Sequence, residues 1–433
     1  MSRRIVLHKA TRIEGNASIQ IELEAGRVRT ARFVVPDFRG FETIVKGCPV
    51  EQAPGMISRV CGLCSASHQV TSVEALERAL GIEPTEALRV LRHVVVLGEW
   101  IGSHAFAYFF LATPDMVDAP GGIFELARTH PQLVQEAFAL REAGQRVVRA
   151  LGKRASHPVA LGIGRFLVPP SPQDLEEVRE AAREVRARSR RLITEALEAE
   201  HWAEGFAPPP DQDVNLLVHE EGPDGKAFSV YGRDGARRLA FARDEFDENV
   251  AEMRTEWSLS KFPYLVTMGF PAGIVLTGPL SRTFGQGGIL RDPDLIALGV
   301  PERLGDRKGV SLGEIDLCRL AEIYWAAKRI EEHLENARLD GIEVEGDLGG
   351  SGQGMGVLEA PRGVLVHDYL VDRGRVERLR LTVATQFNNA YINLLLRDLA
   401  EKHVEGDRIS SEGERLIGRC IRTFDPCISC ATH

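Results

Sequence analysis

The chain opens on a pattern in which hydrophobic and polar residues alternate. Apolar residues occupy every second position from Ile19 to Leu23, and a second apolar run extends from Val28 to Val35. A period of two places successive side chains on opposite faces of a sheet. The pattern therefore predicts a β-hairpin or small sheet over 5–35, within a β-rich N-terminal segment that we assign to residues 1–45.

Helical signals dominate the segment 46–205, which we predict to be the first part of a helical core. Each expected helix is bounded by a residue type that favours its start or its end. Serine and threonine cap the N-terminus, glycine caps the C-terminus, and an interior proline stops the helix. The expected helices cover 66–80 before Gly81, Thr85 to about Leu111 before Pro114, and Pro172, after Ser171, to about Ala199.

The pattern changes after the three prolines at 208–210. Short apolar runs separated by glycine turns predict strands within 214–242, with one turn at Gly222–Pro223. We assign the β-containing excursion to residues 206–290. Helical signals return afterwards, and the second part of the helical core is assigned to residues 291–433.

Within this last part, the periodicity predicts helices over 312–338 and 386–403, with strand character over 361–382. The glycine-rich segment 349–356 lacks the Lys-Ser/Thr pair of a phosphate-binding loop, so we expect it to be a flexible connection. The predicted fold class is α+β, predominantly α-helical. A large helical body carries a small N-terminal β-sheet and a β excursion near 210–245, all in one compact unit.

Composition narrows the possible partners. The 433 residues are 44% hydrophobic, and a net charge of −9 is spread through the chain without a basic tract, which argues against nucleic-acid binding. The most apolar stretch, Trp100–Met116, is shorter than the roughly 20 residues of a membrane span, so we expect a buried core helix. No targeting signal follows Met1, and we expect a cytoplasmic protein unless a partner subunit carries an export signal.

Cysteine carries the main chemical signal. Two Cys-x-x-Cys pairs, Cys61 with Cys64 and Cys427 with Cys430, stand near opposite ends of the chain. Zinc modules usually bring two such pairs together over roughly 12–20 residues, whereas almost the whole protein separates these. The pairs alone leave structural zinc, an iron–sulfur cluster and a catalytic metal open. The other three cysteines, expected to be packed thiols, are Cys48, Cys318 and Cys420.

The residues around both pairs, and several other segments, match the motifs of one known family in its order. The segments are Thr11–Gly15, Arg39–Glu42, Arg59–His68, His157–Pro158, Thr277–Arg282, Glu359–Gly363 and Asp425–His433. Together they resemble the large subunit of nickel–iron hydrogenases, from about residue 11 to the last residue. Asn16 stands where the family has a histidine, and Ala384 stands where it has a proline.

The resemblance implies a nickel ion bound by all four cysteines of the two pairs. Cys64 and Cys430 would also bridge to an iron that carries carbon monoxide and cyanide, and Cys61 and Cys427 would bind nickel alone. Cys427 would accept the proton from dihydrogen, and Glu14 would carry it onward.

Other residues are assigned by the same resemblance to the surroundings of the metals. Arg362, preceded by Pro361, would overhang them and pair with Asp425. His68 would bond a bridging sulfur and Thr385 a cyanide. Ser103 stands where many relatives have aspartate, so mechanisms that use that aspartate do not transfer.

A hard metal ion, magnesium or iron, is implied near the C-terminus. Its protein ligands would be Glu42, the backbone carbonyl of Leu381 and His433, with water completing the shell. The family's precursor carries a C-terminal extension that a maturation protease removes after this histidine. Because the sequence ends at His433, we expect it to be the mature form.

The expected function is the catalytic subunit of a hydrogenase that cleaves dihydrogen reversibly. We expect no iron–sulfur cluster in this chain, since no further cysteine cluster is present, so an iron–sulfur small subunit would receive the electrons. Flavin/NAD(P) or ferredoxin-linked diaphorase subunits would pass them to a soluble acceptor. A regulatory dihydrogen sensor and a zinc-stabilised interaction protein are the alternatives. A complex I homologue is disfavoured because such relatives lack the nickel cysteines.

Overall fold

The structure is a computed structural model that describes residues 3–198, 205–206, 214–221, 224–285, 288–304, 310–335 and 339–432. The prolines at 208–210, the turn at Gly222–Pro223 and His433 lie outside the described residues. The helices are α1 Phe41–Ile44, α2 Ala53–Ile57, α3 Ser65–Leu80, α4 Glu86–Phe106, α5 Thr113–Met116, α6 Ile123–Thr129, α7 Pro131–Gly152, α8 Pro172–Glu198, α9 Phe246–Asn249, α10 Pro279–Arg282, α11 Pro293–Ala297, α12 Val300–Leu304, α13 Leu312–Glu335, α14 Ala384–Lys402, α15 Ser411–Phe424 and α16 Ile428–Ala431.

The strands are short and form several small sheets. They are β1 Arg3–Lys9, β2 Ser18–Glu24, β3 Arg27–Val34, β4 Leu161–Gly162, β5 Arg165–Phe166, β6 Gly205–Phe206, β7 Asn215–His219, β8 Phe228–Tyr231, β9 Arg237–Phe241, β10 Val250–Thr255, β11 Ser258–Leu265, β12 Val275–Thr277, β13 Val310–Ser311, β14 Gly352–Ala360, β15 Gly363–Asp372, β16 Arg375–Thr382, β17 Val404–Glu405 and β18 Arg408–Ile409. Helices with small sheets confirm the predicted α+β class.

The N-terminal alternation forms the predicted small sheet. Strands β1, β2 and β3 pair antiparallel in that order. Ile19, Ile21 and Leu23 are buried on one face of β2, while the residues between them are half-buried. Strand β3 packs against α14 near the end of the chain. The sheet therefore joins the N-terminal segment to the C-terminal helices.

The helical body is built from α4, α7, α8 and α13. Helix α4 packs on α7 and α13, and α8 packs on the same two helices. Glycines allow the closest crossing: a Cβ at Gly144 would stand 2.5 Å from the backbone nitrogen of Gly102. Helices α3 and α8 have the predicted extents, and Gly81 caps α3 in the left-handed conformation.

The predicted stop at Pro114 is wrong. A π-helical turn over Ala107–Ala112 follows α4, and the helical path continues through α5 to Met116. Pro114 lies in the first turn of α5, where its missing N–H costs no intrahelical bond. Of the described helices, one stretch, Glu86–Met116, is long and apolar enough to cross a membrane. Its most apolar window is 83% buried inside the fold, which fits the predicted core helix.

The β excursion after the prolines is confirmed in the described residues. Strands β7, β8 and β9 form an antiparallel meander, and β12 returns to pair parallel with β7. Strands β10 and β11 form a separate antiparallel pair. Strand β12 leads directly into the segment Thr277–Arg282, which is buried.

The prediction of a flexible glycine-rich connection is also wrong. Residues 352–360 form β14, the first strand of the antiparallel sheet β14-β15-β16. Cβ atoms at Gly352, Gly354 and Gly356 would stand 2.1–2.2 Å from backbone carbonyl oxygens of α3. The glycines therefore let the strand lie directly on the helix, a close approach that any side chain would block.

Candidate metal centre

The four cysteines of the two pairs converge in the core. Cys61 follows a 3-10 turn, Cys64 immediately precedes α3, Cys427 precedes α16 and Cys430 lies within α16. Their Sγ atoms all lie within 4.8 Å of one another, and no residue is more than 5% exposed. The close contacts between sulfurs are Cys427 to Cys430 at 2.7 Å, Cys61 to Cys427 at 3.2 Å and Cys64 to Cys430 at 3.4 Å.

Backbone contacts hold the C-terminal segment in place. Glu14 forms a parallel β-bridge with Cys427, and the N–H of Ile428 donates to the Glu14 carbonyl at 3.2 Å. The N–H of Arg39 donates to the carbonyl of Thr432 at 2.7 Å. Gly15 must be glycine here, because its φ is +87° and a Cβ would stand 2.6 Å from Ile428. The tail is thus fixed by the first forty residues.

The cluster is chemically suited to a cation. Burial raises the pKa of the Cys427 and Cys430 thiols, whereas hydrogen bonding from Cys427 lowers the pKa of Cys61. Several thiolates cannot share one buried site without a compensating positive charge. A bound soft metal ion supplies that charge and replaces the thiol protons.

Glu14 lies against the cluster. Its Oε2 accepts from the Cys427 thiol at 3.3 Å and from the backbone N–H of Ser429 at 2.9 Å. Its Oε1 accepts from the Ser429 hydroxyl. The carboxylate is therefore oriented by Ser429 and is in hydrogen-bond contact with one sulfur.

Arg362 and Asp425 form the predicted pair beside the cysteines. The guanidinium donates from Nε to the Asp425 carbonyl at 2.6 Å and from Nη2 to its carboxylate at 2.8 and 3.0 Å. Burial raises the pKa of Asp425, and the charge of Arg362 opposes that shift. Nη1 of Arg362 is buried without a hydrogen-bond partner among the described residues.

Arg362 shares a small cavity with the cluster. The cavity holds about 20 Å³ and is lined by Cys64, His68, Ala360, Arg362, Leu365, Val383, Ala384, Thr385, Cys427 and Cys430. Nε2 of His68 lies 3.3 Å from Sγ of Cys430, and its Nδ1 lies 3.1 Å from Nε2 of His367. The Thr385 hydroxyl accepts from the backbone N–H of Cys427 at 3.1 Å.

The remaining predicted residues that the structure describes do not line this cavity. Ser103 is buried in α4, and its hydroxyl has no partner among the described residues. The Pro361 carbonyl accepts from Nη2 of Arg282 at 3.0 Å. Oε1 of Glu42 accepts from the N–H of Leu381 at 2.8 Å, so these two residues are neighbours. The third residue predicted for that ion, His433, is outside the described part.

Several residues that shape the centre escaped the sequence analysis. Ser429 orients Glu14, and its place between the second pair of cysteines was a signal that could have been used. His367 contacts His68. Glu99 caps α3 just after the first cysteine pair, accepting from the N–H groups of Ala66 and Ser67 at 2.7 and 2.9 Å. No sequence spacing links Glu99 to that helix.

A buried cluster of four thiols with an adjacent carboxylate and guanidinium is typical of a metalloprotein site for a soft metal ion. Comparison with known proteins then identifies the family of the chain. The family described as nickel-dependent hydrogenase matches residues 39–163 and 323–433, and a HoxL-like family matches residues 4–38. The chain belongs to the nickel-dependent hydrogenase family and is a catalytic large subunit.

Individual relatives span the whole chain. It is 30% identical to the NAD-reducing hydrogenase HoxS subunit beta of Cupriavidus necator, over 100% of this chain and 95% of that protein. It is also 30% identical to the sulfhydrogenase 2 subunit alpha of Pyrococcus furiosus, over 99% and 98% respectively. Among solved structures, an NAD+-reducing nickel–iron hydrogenase in its dihydrogen-reduced state is similar with a TM-score of 0.87 and 28% identity, covering 100% of this chain and 99% of that chain.

The donor set fits the metal centre of that family. Four buried sulfur ligands suit nickel, and Cys64, Cys427 and Cys430 line the small cavity where a second metal would lie. The unpartnered Nη1 of Arg362 adds an orphaned cationic donor next to the same cavity. The site therefore fits a nickel–iron centre.

Proposed function

We propose that this protein cleaves dihydrogen reversibly to protons and electrons and passes the electrons through an iron–sulfur partner subunit to a soluble acceptor such as NAD(P) or ferredoxin. The observation that carries the proposal is the contact between Glu14 and Cys427 at the edge of the four-cysteine cluster. Dihydrogen cleavage needs a metal beside a base, and this contact joins the predicted ligand to a proton acceptor.

The metal centre would supply the electrophile that polarises dihydrogen. Cys61, Cys64, Cys427 and Cys430 would hold nickel, and Cys64 and Cys430 would also hold an iron bearing carbon monoxide and cyanide. The Cys427 sulfur would receive a proton, and Glu14 would accept it at Oε2, 3.3 Å away. Ser429 holds the carboxylate in that orientation through two hydrogen bonds.

The surrounding polar groups would orient the reacting species. Arg362 stays charged at any working pH, and Asp425 fixes its fork so that Nη1 remains available beside the cavity. His68 would hydrogen-bond the Cys430 sulfur, and His367 would fix the tautomer of His68. Thr385 lines the cavity and would donate a hydrogen bond to a cyanide ligand of iron.

Electrons must leave through another subunit. Among the described residues, the four-cysteine group is the one cluster of three or more ligating side chains. The electron relay would therefore be supplied by the iron–sulfur partner subunit. The likeness to a subunit of an NAD-reducing hydrogenase supports NAD(P) as acceptor and diaphorase subunits as further partners. The same likeness supports a place in the cytoplasm. The likeness to a sulfhydrogenase subunit supports an acceptor other than NAD(P) as the alternative.

A second ion, magnesium or iron, is proposed near the C-terminus. The neighbouring positions of Glu42 and Leu381 support it, since a carboxylate and a strand carbonyl are oxygen ligands of the kind that hard ions prefer. His433 would complete the protein ligands. A maturation protease would cleave the precursor after this histidine and remove the C-terminal extension.

Infrared spectroscopy of the protein purified with its partners tests the metal centre. We expect bands from iron-bound carbon monoxide and cyanide, together with bound nickel and an excess of iron, since the iron–sulfur partner subunit also carries iron. Zinc as the only bound metal, or the absence of these bands in a nickel-loaded sample, would contradict the proposal.

A separate assay tests the acceptor. The purified complex is incubated with dihydrogen and either NAD+, NADP+ or oxidised ferredoxin, and reduction is followed by absorbance. We expect NAD(P)H to form. Reduction of an artificial dye without reduction of any of these acceptors would reject the proposed electron route while leaving the hydrogenase chemistry intact.

A further inference from the structure

Arg362 stands at the tip of a hairpin, a position that the local chain constrains weakly. Strands β14 and β15 pair up to Ala360 and Gly363, which leaves Pro361 and Arg362 as a two-residue turn. A hairpin tip ordinarily faces solvent and moves more than the strands that carry it. This tip is buried beside the four cysteines, so other elements must set its position.

Side chains from three helices bind four successive carbonyls of this turn. The Glu359 carbonyl accepts from Nε1 of Trp100 at 3.0 Å, and the Ala360 carbonyl accepts from Nη1 of Arg282 at 2.9 Å. The remaining two bonds are Arg282 Nη2 to the Pro361 carbonyl at 3.0 Å and Asn388 Nδ2 to the Arg362 carbonyl at 3.3 Å. Arg282 is thus the side chain that binds two of the four.

The guanidinium of Arg282 is fully used. Its Nε and Nη2 donate to the two oxygens of Glu322 at 2.6 and 2.7 Å, and Nη1 also donates to Glu359 at 2.8 Å. Together with the two carbonyls, these bonds occupy all five N–H groups that arginine offers. The guanidinium also lies over the ring of Trp100, 4.1 Å from its centroid.

The charges around Arg282 keep the arrangement ionic and rigid. Burial by itself would raise the pKa of Glu322, but the charge and hydrogen bonds of Arg282 lower it to about 2. His104 adds a contact to Glu322 at 2.9 Å, and the Glu322 side chain is 1% exposed. Removal of one partner of such a buried ion pair strongly destabilises the fold, because the other charge is left buried without compensation.

The helix that carries Arg282 touches the same turn directly. Gly278 immediately precedes α10, and a Cβ there would stand 2.6 Å from the Arg362 carbonyl oxygen. The hydroxyl of Thr277 accepts from the N–H of Val364 at 3.0 Å. The segment Thr277–Arg282 is therefore built against the turn that presents Arg362.

We propose that Arg282 is a positioning residue, which fixes the backbone of Glu359–Arg362 so that the Arg362 guanidinium stands beside the metal cavity. Asp425 holds the guanidinium end of Arg362, and Arg282 holds its main-chain end. This inference rests on the proposed function, since it assigns to Arg282 an effect on dihydrogen turnover that is exerted through Arg362.

A double-mutant cycle in the purified complex tests the inference. Lysine at position 282 keeps the charge but offers three donors on one atom, so it cannot bind both carbonyls and both glutamates. We expect Arg282→Lys to lower kcat about tenfold, as displacement of a reacting group does, with KM changed less than about twofold. In an Arg362→Lys background, the same substitution should change kcat less than about twofold, because the group that it positions is gone.

Two readouts besides turnover accompany the cycle. Nickel and iron content should stay at the wild-type level in Arg282→Lys, because no metal ligand is altered. The infrared bands of carbon monoxide and cyanide should shift or split relative to wild type, since the nearby guanidinium would occupy a new or mixed position. Unchanged bands together with equal kcat losses in both backgrounds would overturn the inference.

Arg92→Lys is the matched control. Arg92 is also a buried arginine that binds two oxygens of one glutamate, Glu77, and one backbone carbonyl, that of Gly162. We expect Arg92→Lys to lower the unfolding temperature about as much as Arg282→Lys does, while kcat stays at the wild-type value. If the two variants lose kcat equally, Arg282 has a general structural role and the inference is wrong.

Two further outcomes are distinguishable. If Arg282→Lys does not assemble, Glu359→Gln replaces it in the same cycle, because it removes one ionic partner of Arg282 and keeps a hydrogen-bonding group of the same size. We expect a loss of about threefold in kcat that vanishes in the Arg362→Lys background, and persistence of the loss there would overturn the inference. A wild-type complex without infrared bands or dihydrogen turnover would instead reject the proposed function itself.

Discussion

At the scale of single residues, Glu14 connects the two ends of the chain both by its backbone and by its side chain. Its backbone pairs with Cys427, and its carboxylate accepts from the thiol of the same residue. The motif around Glu14 was sufficient to single out this carboxylate. Its orienting partner Ser429 became visible only when the two termini were in contact.

Replacement of Glu14 by glutamine should separate metal binding from proton transfer. The amide keeps the size of the side chain but cannot accept and release a proton near neutral pH, so we expect dihydrogen/deuterium exchange to fall at least about 100-fold. Nickel and iron content should not change. Glu24→Gln, an exposed position in β2, is the control and should exchange at the wild-type rate. Normal exchange in Glu14→Gln would remove this residue from the proton route.

At the scale of elements, the glycines of β14 determine how the sheet β14-β15-β16 meets α3. The strand lies against the helix backbone, and the helix begins immediately after Cys64. The composition of residues 349–356 favoured a flexible linker, because several glycines within a short segment usually indicate a loop. The physical reason for these glycines is the distance between two backbones, which no single-sequence pattern contains.

Gly354→Ala tests this close approach. The new Cβ would stand 2.2 Å from the Ala75 carbonyl oxygen and 2.3 Å from the Ala79 nitrogen, so strand and helix must separate. We expect a loss of about 3 kcal/mol in the free energy of unfolding, at the upper end of overpacking effects. Gly55→Ala in α2 is the control, since nothing lies within 4 Å of its Cβ position. Equal stability of both variants would contradict the packing argument.

A histidine pair joins α4 to α13 and makes stability depend on pH. Nδ1 of His93 lies 2.9 Å from Nε2 of His333, and Arg329, Glu86 and Glu332 are the charged groups near His333. Burial lowers the pKa of His93 to about 3 and also lowers that of His333. Between about pH 3 and 6.5 the unfolded chain therefore binds more protons, so this contribution to stability is present above about pH 6.5 and is lost on acidification.

The variant His93→Gln should reduce this acid sensitivity. We expect its apparent unfolding temperature to fall less than that of wild type between about pH 7 and 4, by about 2–4 °C, because one half-buried group with a lowered pKa no longer has to stay neutral. Differential scanning fluorimetry at matched ionic strength measures the difference. His130→Gln, at an exposed position, should follow the wild-type curve. Identical pH curves for His93→Gln and wild type would refute the assignment.

At the scale of the whole molecule, the metal centre is the point where the two ends of the chain meet. Cys64 and Cys430 are 366 positions apart, yet their sulfurs are 3.4 Å apart. The segments between them form the helical body and several small sheets, and this fold brings the ends together. The division of the chain into the segments 1–45, 46–205, 206–290 and 291–433, which was assigned from the sequence, stays a prediction.

Metal loading should therefore stabilise the fold as a whole. A metal bound by both pairs closes a loop of nearly the full chain, and its binding free energy adds to that of folding. We expect the loaded protein to unfold at a higher temperature than the metal-free protein and to resist carboxypeptidase at its C-terminus. Cys427→Ala should abolish both effects together with activity, because it removes one ligand.

Cys420→Ala provides the comparison for this experiment. Cys420 is a fully buried thiol of α15 outside the cluster, so its replacement should cost some stability but leave metal content and metal-dependent protection in place. Normal nickel content in Cys427→Ala, or equal loss of metal in Cys420→Ala, would contradict the assignment of the four ligands.

The sequence by itself determined the kinds of most elements, their approximate limits and the four cysteines that converge. Periodicity and capping depend on neighbours a few residues apart, and the motifs around Cys61 and Cys427 are local in the same way. Tertiary structure alone decided the π-turn before Pro114, the strand over 352–360 and the binding of the Arg362 turn by Arg282. These features depend on contacts between segments far apart in the chain, where the available distance between backbones and the satisfaction of buried polar groups override local preference.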